Sequence, residues 1–209
     1  MPFKSISILS GPSFSNEVSQ GLPTAVTLAT KDKKDFNNIS KLIPNKEFRI
    51  YYSNDLIGTQ IGGSLKNIYA IAAGISEGLN LGENAKSALI SRSFAEMTRY
   101  AKKFKADKNT LFGLSGLGDL ILTCSSTNSR NTQFGIKLAS SKYDNFLDLL
   151  QSQEVTEGYY TVKAVYNISK KNKIDMPIME SVYNILYKQH DLKEELSNLL
   201  SRPITEEKI

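Results

Sequence analysis

Tryptophan is absent from this chain of 209 residues, cysteine and histidine occur once each, and proline six times. The lone Cys124 excludes an internal disulfide and a cysteine cluster for zinc, and points to a reducing, cytoplasmic setting. The lone His190 excludes a two-histidine metal site and argues against a histidine-based catalytic triad. It stands beside Asp191, where a helix start is expected, and is expected to be solvated. Uninterrupted hydrophobic runs are also missing. Residues 56–76 are about the length of a membrane span, but their glycines, Thr59, Gln60, Lys66 and Asn67 argue against a transmembrane segment. Met1-Pro2-Phe3-Lys4 lacks the apolar core of a signal peptide, and no repeat or low-complexity tract occurs.

What is present describes a globular chain. Hydrophobic residues make up 40% and charged residues 22%, enough apolar content to bury a core. The net charge of +5 would suit an anionic ligand. The lysines are spread along the chain, though, with short clusters at residues 102–105 and 170–173. Helix ends favour such cations through the macrodipole, and no nucleic-acid partner is expected.

The chain divides near residue 54. Residues 5–9 alternate like a strand and run into a breaker-rich turn, Ser10-Gly11-Pro12-Ser13-Phe14. Residues 24–29 form a second strand candidate, residues 31–43 a helix and residues 48–52 a third strand. Three short strands are few for an independent sheet, and they read as the terminal portion of a larger α/β sheet. From Asp55 onward the pattern is helical. A helix capped by Asn84 carries Ile90, Phe94, Met97, Ala101 and Phe104 on one stripe. Further helices are expected from Ser129, over residues 146–150, over residues 159–171, from Pro177 and from Asp191, which forms a capping box with Glu194.

Within residues 56–76, Lys66 is the only charge. Ile57, Ile61, Leu65, Ile68 and Ala72 follow helical spacing, and Thr59, Gly63, Lys66, Asn67 and Ala70 form a second face, small and polar. A helix with uncharged flanks is normally buried, and Gly58, Gly62 and Gly63 admit another backbone at close range. An ammonium there must be paired, reach water or give up its charge. Periodicity leaves two readings open, a proton-transfer lysine or a snorkelling one whose stem covers apolar surface.

Two other stretches bear chemistry. Phe112-Gly113-Leu114-Ser115-Gly116-Leu117-Gly118-Asp119 fails the dinucleotide fingerprint, because Ile121 stands where glycine or alanine is needed, and it lacks a preceding strand. By itself it reads as a flexible turn. Ser129-Arg130-Asn131 at a helix start gathers a hydroxyl, a guanidinium, an amide and free backbone N–H groups, as an anion site would. Serine and asparagine also cap helices for local reasons.

Taken together, the segments at Ser10-Gly11-Pro12-Ser13-Phe14, Gly21-Leu22-Pro23-Thr24-Ala25, Gly63-Ser64-Leu65-Lys66-Asn67, Gly82-Glu83-Asn84-Ala85-Lys86, Gly113 to Leu120, Ser129-Arg130-Asn131 and Glu157-Gly158 closely resemble the bacterial NAD(P)-dependent glycerol-3-phosphate dehydrogenases. The resemblance runs from about Ile6 to Arg202. It implies a fold class of an α/β remnant followed by all-α structure. Residues 1–54 would be the last strands of a Rossmann-like NAD(P)-binding domain, and residues 55–209 a helical substrate-binding and catalytic domain. It implies NAD or NADP as cofactor and glycerol 3-phosphate or dihydroxyacetone phosphate as substrate, in glycerophospholipid synthesis. Lys66 matches the general acid/base and Asp119 the carboxylate that orients it. Asn67 and Thr123 match supporting groups. Ser129, Arg130 and Asn131 match phosphate and substrate contacts, and Gly11 and Ser13 substrate contacts from the sheet side. Ser15, Arg130, Val155 and Glu157 match positions touching the dinucleotide, with Ser15 in place of the family's usual alanine. The family's glycine-rich turn for the pyrophosphate does not occur in this sequence, so the expectation is a C-terminal part working with a separate N-terminal half or as a homodimer. The alternatives are an inactive remnant or a non-enzymatic helical interaction module that offers a sheet edge to another chain.

Overall fold

A computed structural model describes residues 5–43, 46–140, 156–204 and 206–207. It begins with a 3-stranded sheet in the order β1 (Ser7–Ser10), β2 (Thr24–Thr30), β3 (Phe48–Ser53). β1 runs antiparallel to β2, with Ser7 opposite Thr30, and β2 runs parallel to β3, with Val26 opposite Ile50. A parallel pair needs a crossover, supplied here by α2 (Lys33–Ser40), while the short α1 (Ser15–Ser19) lies between β1 and β2. The central position of β2 accounts for its nearly unbroken burial, with Val26, Thr27, Leu28, Ala29 and Thr30 all buried. β3 is an edge strand and keeps the period-two alternation, with Ile50 half-buried between the exposed Arg49 and Tyr51.

The helices follow in series: α3 (Leu56–Gly78), α4 (Glu83–Lys103), α5 (Lys108–Phe112), a π-helical turn (Leu114–Gly118), α6 (Asp119–Ser125), α7 (Arg130–Ser140), α8 (Glu157–Asn172), α9 (Pro177–Lys188) and α10 (Leu192–Leu200). α3 is their axis, packing against α4, α6, α7, α8 and β1. Its buried Leu65, Ile68, Tyr69 and Ile71 join Phe94, Met97, Phe134, Met179 and Leu186 in one core. Asp55 starts α3 by accepting from the Gly58 N–H at 2.8 Å, and its second oxygen accepts from the Asp107 N–H at 2.8 Å beside α5. Glycine sets the closest packing. A Cβ on Gly74 would lie 2.1 Å from the Thr132 carbonyl oxygen, and one on Gly135 2.2 Å from that of Ile71. α3 and α7 therefore touch backbone to backbone and run in the same sense.

Several expectations shift. Strand β1 spans residues 7–10 rather than 5–9, and α2 is trimmed to residues 33–40 because Asp32 caps it through the Lys34 N–H. The residue in the N-cap position of α4 is Gly82, at φ 87°, not Asn84, and no side chain among the described residues caps it. Ile57, assigned to the buried stripe, is 47% exposed. Gly113 to Asp119 is not a flexible turn: it forms the π-helical turn running into α6, with Ser115, Gly116 and Asp119 buried. Asp191 caps α10 through the N–H groups of Lys193 and Glu194. His190 is not merely solvated, since its Nδ1 lies 2.8 Å from the buried Glu195 carboxylate. Pro177 opens α9 as expected, and Lys102, Lys103, Lys170 and Lys171 occupy last turns of helices. The helix expected over residues 146–150 lies outside the described residues.

Candidate active site

The site is built on two rungs between α3 and the segment that follows α5. At Gly62 the absence of a side chain lets the Ser115 carbonyl oxygen come within 2.0 Å of where a Cβ would stand. One helical turn further along both chains, Lys66 meets Asp119, with Nζ and Oδ2 2.5 Å apart. The first contact sets the second, because i and i+4 lie on one face of a helix. Asp119 is 2% exposed and its other oxygen faces the Thr123 hydroxyl at 3.3 Å. That hydroxyl also donates to the Asp119 carbonyl at 2.6 Å, and the Thr132 hydroxyl donates to the Thr123 carbonyl at 2.7 Å. Of the three states open to a lysine in this helix, Lys66 adopts two together. It is paired, and 21% of its side chain reaches solvent. A snorkelling lysine would not place its ammonium on a buried carboxylate.

Next to Lys66, Asn67 opens a second polar cluster. Its amide donates to Glu157 Oε2 at 3.1 Å, and its carbonyl oxygen accepts from Asn131 at 3.1 Å. The Asn131 carbonyl oxygen in turn accepts from the Gly158 N–H at 3.0 Å. This cluster joins α3, α7 and the start of α8. Ser129 is buried, and its hydroxyl accepts from the Thr132 N–H at 3.3 Å, so it caps α7. The local reasons for Ser129 and Asn131 are thus real, and they leave Arg130 as the uncommitted cation. Arg130 is exposed, and its side chain makes no hydrogen bond or ion pair among the described residues. Lys66, Asp119 and Thr123 are brought together, and so are Asn67, Asn131 and Glu157.

The turn after β1 closes the third side. Gly11 sits at φ 149° with β2 so near that a Cβ would lie 2.9 Å from Val26 Cα. Ser13 donates to the Gly11 carbonyl at 3.0 Å. Ser10 Oγ lies against Gly63, and Pro12 against Gly118, so this turn abuts both rungs. Ser15 is exposed on α1 and makes no side-chain hydrogen bond among the described residues. Val155 lies outside the described residues.

Glu96 was missed by sequence reasoning. It is 1% exposed on α4, and its carboxylate accepts from the Ile178 N–H at 2.6 Å and the Met179 N–H at 3.2 Å, capping α9 from another helix. The Tyr69 hydroxyl donates to it at 3.4 Å. Burial pushes its pKa up to about 7, opposed by the two backbone N–H groups. The signal available in the sequence was a lone acid, after the first residue of α4, set between Phe94 and Met97. Among the described residues no group of three or more histidine, cysteine or acidic side chains is arranged to hold a metal ion. Nor is any helix long and apolar enough to cross a membrane.

Comparison with known proteins adds a family. Residues 55–197 match the model of the NAD-dependent glycerol-3-phosphate dehydrogenase C-terminus, and residues 1–36 that of the N-terminus. A glycerol-3-phosphate dehydrogenase (NAD(P)+) of Colwellia psychrerythraea is 43% identical over 95% of this chain and 59% of its own length. That of Blochmanniella pennsylvanica is 46% identical over 98% of this chain and 59% of its own. The crystal structure of glycerol-3-phosphate dehydrogenase from Coxiella burnetii superposes with a TM-score of 0.89 at 39% identity, covering 95% of this chain and 61% of that one. The chain thus spans about 59% of the length of these curated relatives.

Proposed function

We propose that this chain, which belongs to the NAD-dependent glycerol-3-phosphate dehydrogenase family, carries the proton-transfer and substrate-holding side of the interconversion of glycerol 3-phosphate and dihydroxyacetone phosphate. The supporting observation is the Lys66–Asp119 pair, a solvent-reaching ammonium held on a buried carboxylate beside a polar wall. In the oxidative direction Lys66 Nζ removes the proton of the C2 hydroxyl, and in reduction it protonates the carbonyl oxygen. Its charge steadies the alkoxide that develops there. Asp119 fixes where the ammonium stands, and Thr123 fixes Asp119. Arg130 takes the phosphate, since a free guanidinium forms two parallel bonds to phosphate oxygens. Ser129, Asn131 and Asn67 hold the wall, and Gly11 and Ser13 meet substrate from the sheet side.

The residues present fit one side of an NAD or NADP molecule. Arg130 is an uncommitted cation, and Glu157 is an exposed carboxylate steadied by Asn67. These two, with Ser15 and Val155, would hold the dinucleotide, which when bound supplies the acceptor or donor of the C2 hydride. We assign residues 1–54 to the dinucleotide side and 55–209 to the substrate side. Further dinucleotide-binding residues, from a separate N-terminal half or within a homodimer, complete the site. Edge strands β1 and β3 support such pairing, because Leu9, Tyr51 and Tyr52 are exposed on them. The single buried cysteine fits a cytoplasmic setting, and glycerophospholipid synthesis is the destination of the product.

The test is NADPH oxidation with dihydroxyacetone phosphate by the purified chain, alone and mixed with the dinucleotide-binding portion of an intact relative. Turnover in the mixture, lost in Lys66→Met and weakened for the phosphate ester in Arg130→Ala, is expected. No turnover in either case, while the intact relative is active, would overturn the proposal.

A further inference from the structure

Among the described residues no side chain caps helix α8. Thr156 occupies the N-cap position, its side chain makes no capping bond, and its buried hydroxyl has no partner among those residues. The first turn of α8, which carries Glu157 and Gly158, must therefore be held by contacts from elsewhere in the fold. One is the bond from the Gly158 N–H to Asn131. A second is the bond from the Asn67 amide to Glu157, and a third comes from α9. The Tyr187 hydroxyl donates to the Tyr159 carbonyl at 2.9 Å, and its ring stacks on the Tyr159 ring with centroids 4.8 Å apart and planes 25° from parallel.

Tyr187 is well placed for this. Its ring is stacked with Tyr183, centroids 5.2 Å apart, and Lys163 Nζ stands 5.4 Å from its centroid. Burial first, and the neighbouring Tyr159 side chain next, raise the pKa of its phenol, so the hydroxyl keeps its proton and stays a donor. α9 itself is anchored at its start, where Glu96 accepts two backbone N–H groups and takes the Tyr69 hydroxyl from α3. The first turn of α8 is thus tied to α3 twice, directly through Asn131 and Asn67, and by the longer route through Tyr187, α9 and Glu96.

We propose that Tyr187 is a positioning residue for the Lys66 site, holding the first turn of α8 so that Glu157 and Gly158 keep their contacts with Asn67 and Asn131. The consequence for dinucleotide affinity rests on the function proposed above, but the hold on α8 does not. The test uses the full chain with Tyr187→Phe, which keeps the ring and loses the hydroxyl, and Tyr187→Leu, which loses both. Hydrogen exchange is followed at Gly158 and at residues 161–163, whose helical acceptors lie in the first turn. In Tyr187→Phe those amides exchange about five- to tenfold faster, while α4 and α7 keep their protection. In the reconstituted enzyme the same variant raises the dinucleotide KM about threefold or more, with kcat within about twofold. Unchanged exchange at these amides overturns the proposal, as does a uniform loss of protection through α8 and α9, or faster exchange with no change in KM. If wild type shows no turnover, the function proposal fails and the exchange comparison still decides the hold. If Tyr187→Leu does not fold, Tyr187→Phe decides it.

Discussion

Replacing Lys66 and Asp119 singly and together separates what the pair does for the fold from what it does for chemistry. At 2.5 Å and an effective dielectric constant of about 20, the two charges attract by roughly 7 kcal/mol before desolvation is subtracted. Breaking a buried pair costs about 3–5 kcal/mol when one charge is left behind. Asp119 is that charge in Lys66→Met, although the opening that exposes 21% of Lys66 lets water reach the orphaned oxygen. A loss of about 2–3 kcal/mol is therefore expected for Lys66→Met. Asp119→Asn should lose about the same or less, since its lysine can turn to solvent. The double variant should recover part of the loss, with a coupling energy of about 2 kcal/mol by urea unfolding.

Lys66→Arg is the discriminating variant. Guanidinium stays charged and can pair with Asp119, so stability should remain within about 1 kcal/mol of wild type. It holds its proton far above neutral pH, however, and turnover should fall about 100- to 10,000-fold. A coupling energy below about 0.5 kcal/mol would refute the pair. Wild-type turnover in Lys66→Arg would refute proton transfer by the lysine.

Three further outcomes follow from the packing. Glu96 keeps its proton up to a pH of about 7 in the folded chain, against 4.5 for an unperturbed glutamate. Unfolding then releases a proton within this window, so stability should fall as pH rises from about 4.5 to about 7, by roughly 3 kcal/mol, and level off above. Glu96→Gln should flatten that profile in urea midpoints, and a parallel profile would refute the assignment. Gly62→Ala drives a Cβ to within 2.0 Å of the Ser115 carbonyl oxygen. It should cost about 1–3 kcal/mol and lower turnover by pushing Asp119 from Lys66; unchanged unfolding would refute the rung. Cys124 is fully buried, its thiol pushed up to about 12 by burial. A thiol reagent at pH 8 should label it only as fast as the chain unfolds, and rapid labelling of the native protein would count against this packing.

Local pattern carried most of the secondary structure, and it failed where tertiary contact decides. α3 was readable because one charge in a long neutral run is rare, and the bounds of β2 and β3 follow from β-branched and aromatic residues between breakers. The segment from Gly113 misled because three glycines ordinarily signal a turn. Here Gly116 leaves room for the Leu111 backbone, 2.1 Å from where its Cβ would stand, and Gly62 admits the Ser115 carbonyl, so the segment forms a π-helical turn against α3 that buries Ser115. Gly74 and Gly135 gave no local signal, since each serves a neighbour far away in sequence. The polar cluster was legible only as separate fragments. Asn67, Asn131 and Glu157 each resemble a cap or a surface residue, and the contact between α3 and α7 makes them one network.

Glu96 and Lys66 show why burial of an ionisable group does not by itself mark the residue that does chemistry. Glu96 titrates well above an ordinary glutamate, yet both its oxygens are committed to the start of α9 and Tyr69, and 1% exposure leaves no path for a substrate. Its environment is that of a structural cap, and protonation there changes how firmly α9 is held. Among the described residues Lys66 has one partner, a solvent-facing side, and an uncharged polar wall at Asn67 and Asn131. A group that exchanges protons with a substrate needs that openness as well as a fixed position, because the proton must arrive and leave. Position comes from Asp119 and Gly62, and access comes from the 21% of the Lys66 side chain that stays exposed. The charge that the neutral helix tolerates at Lys66 is thus explained by what surrounds it: the buried Asp119 carboxylate on one side and solvent on the other.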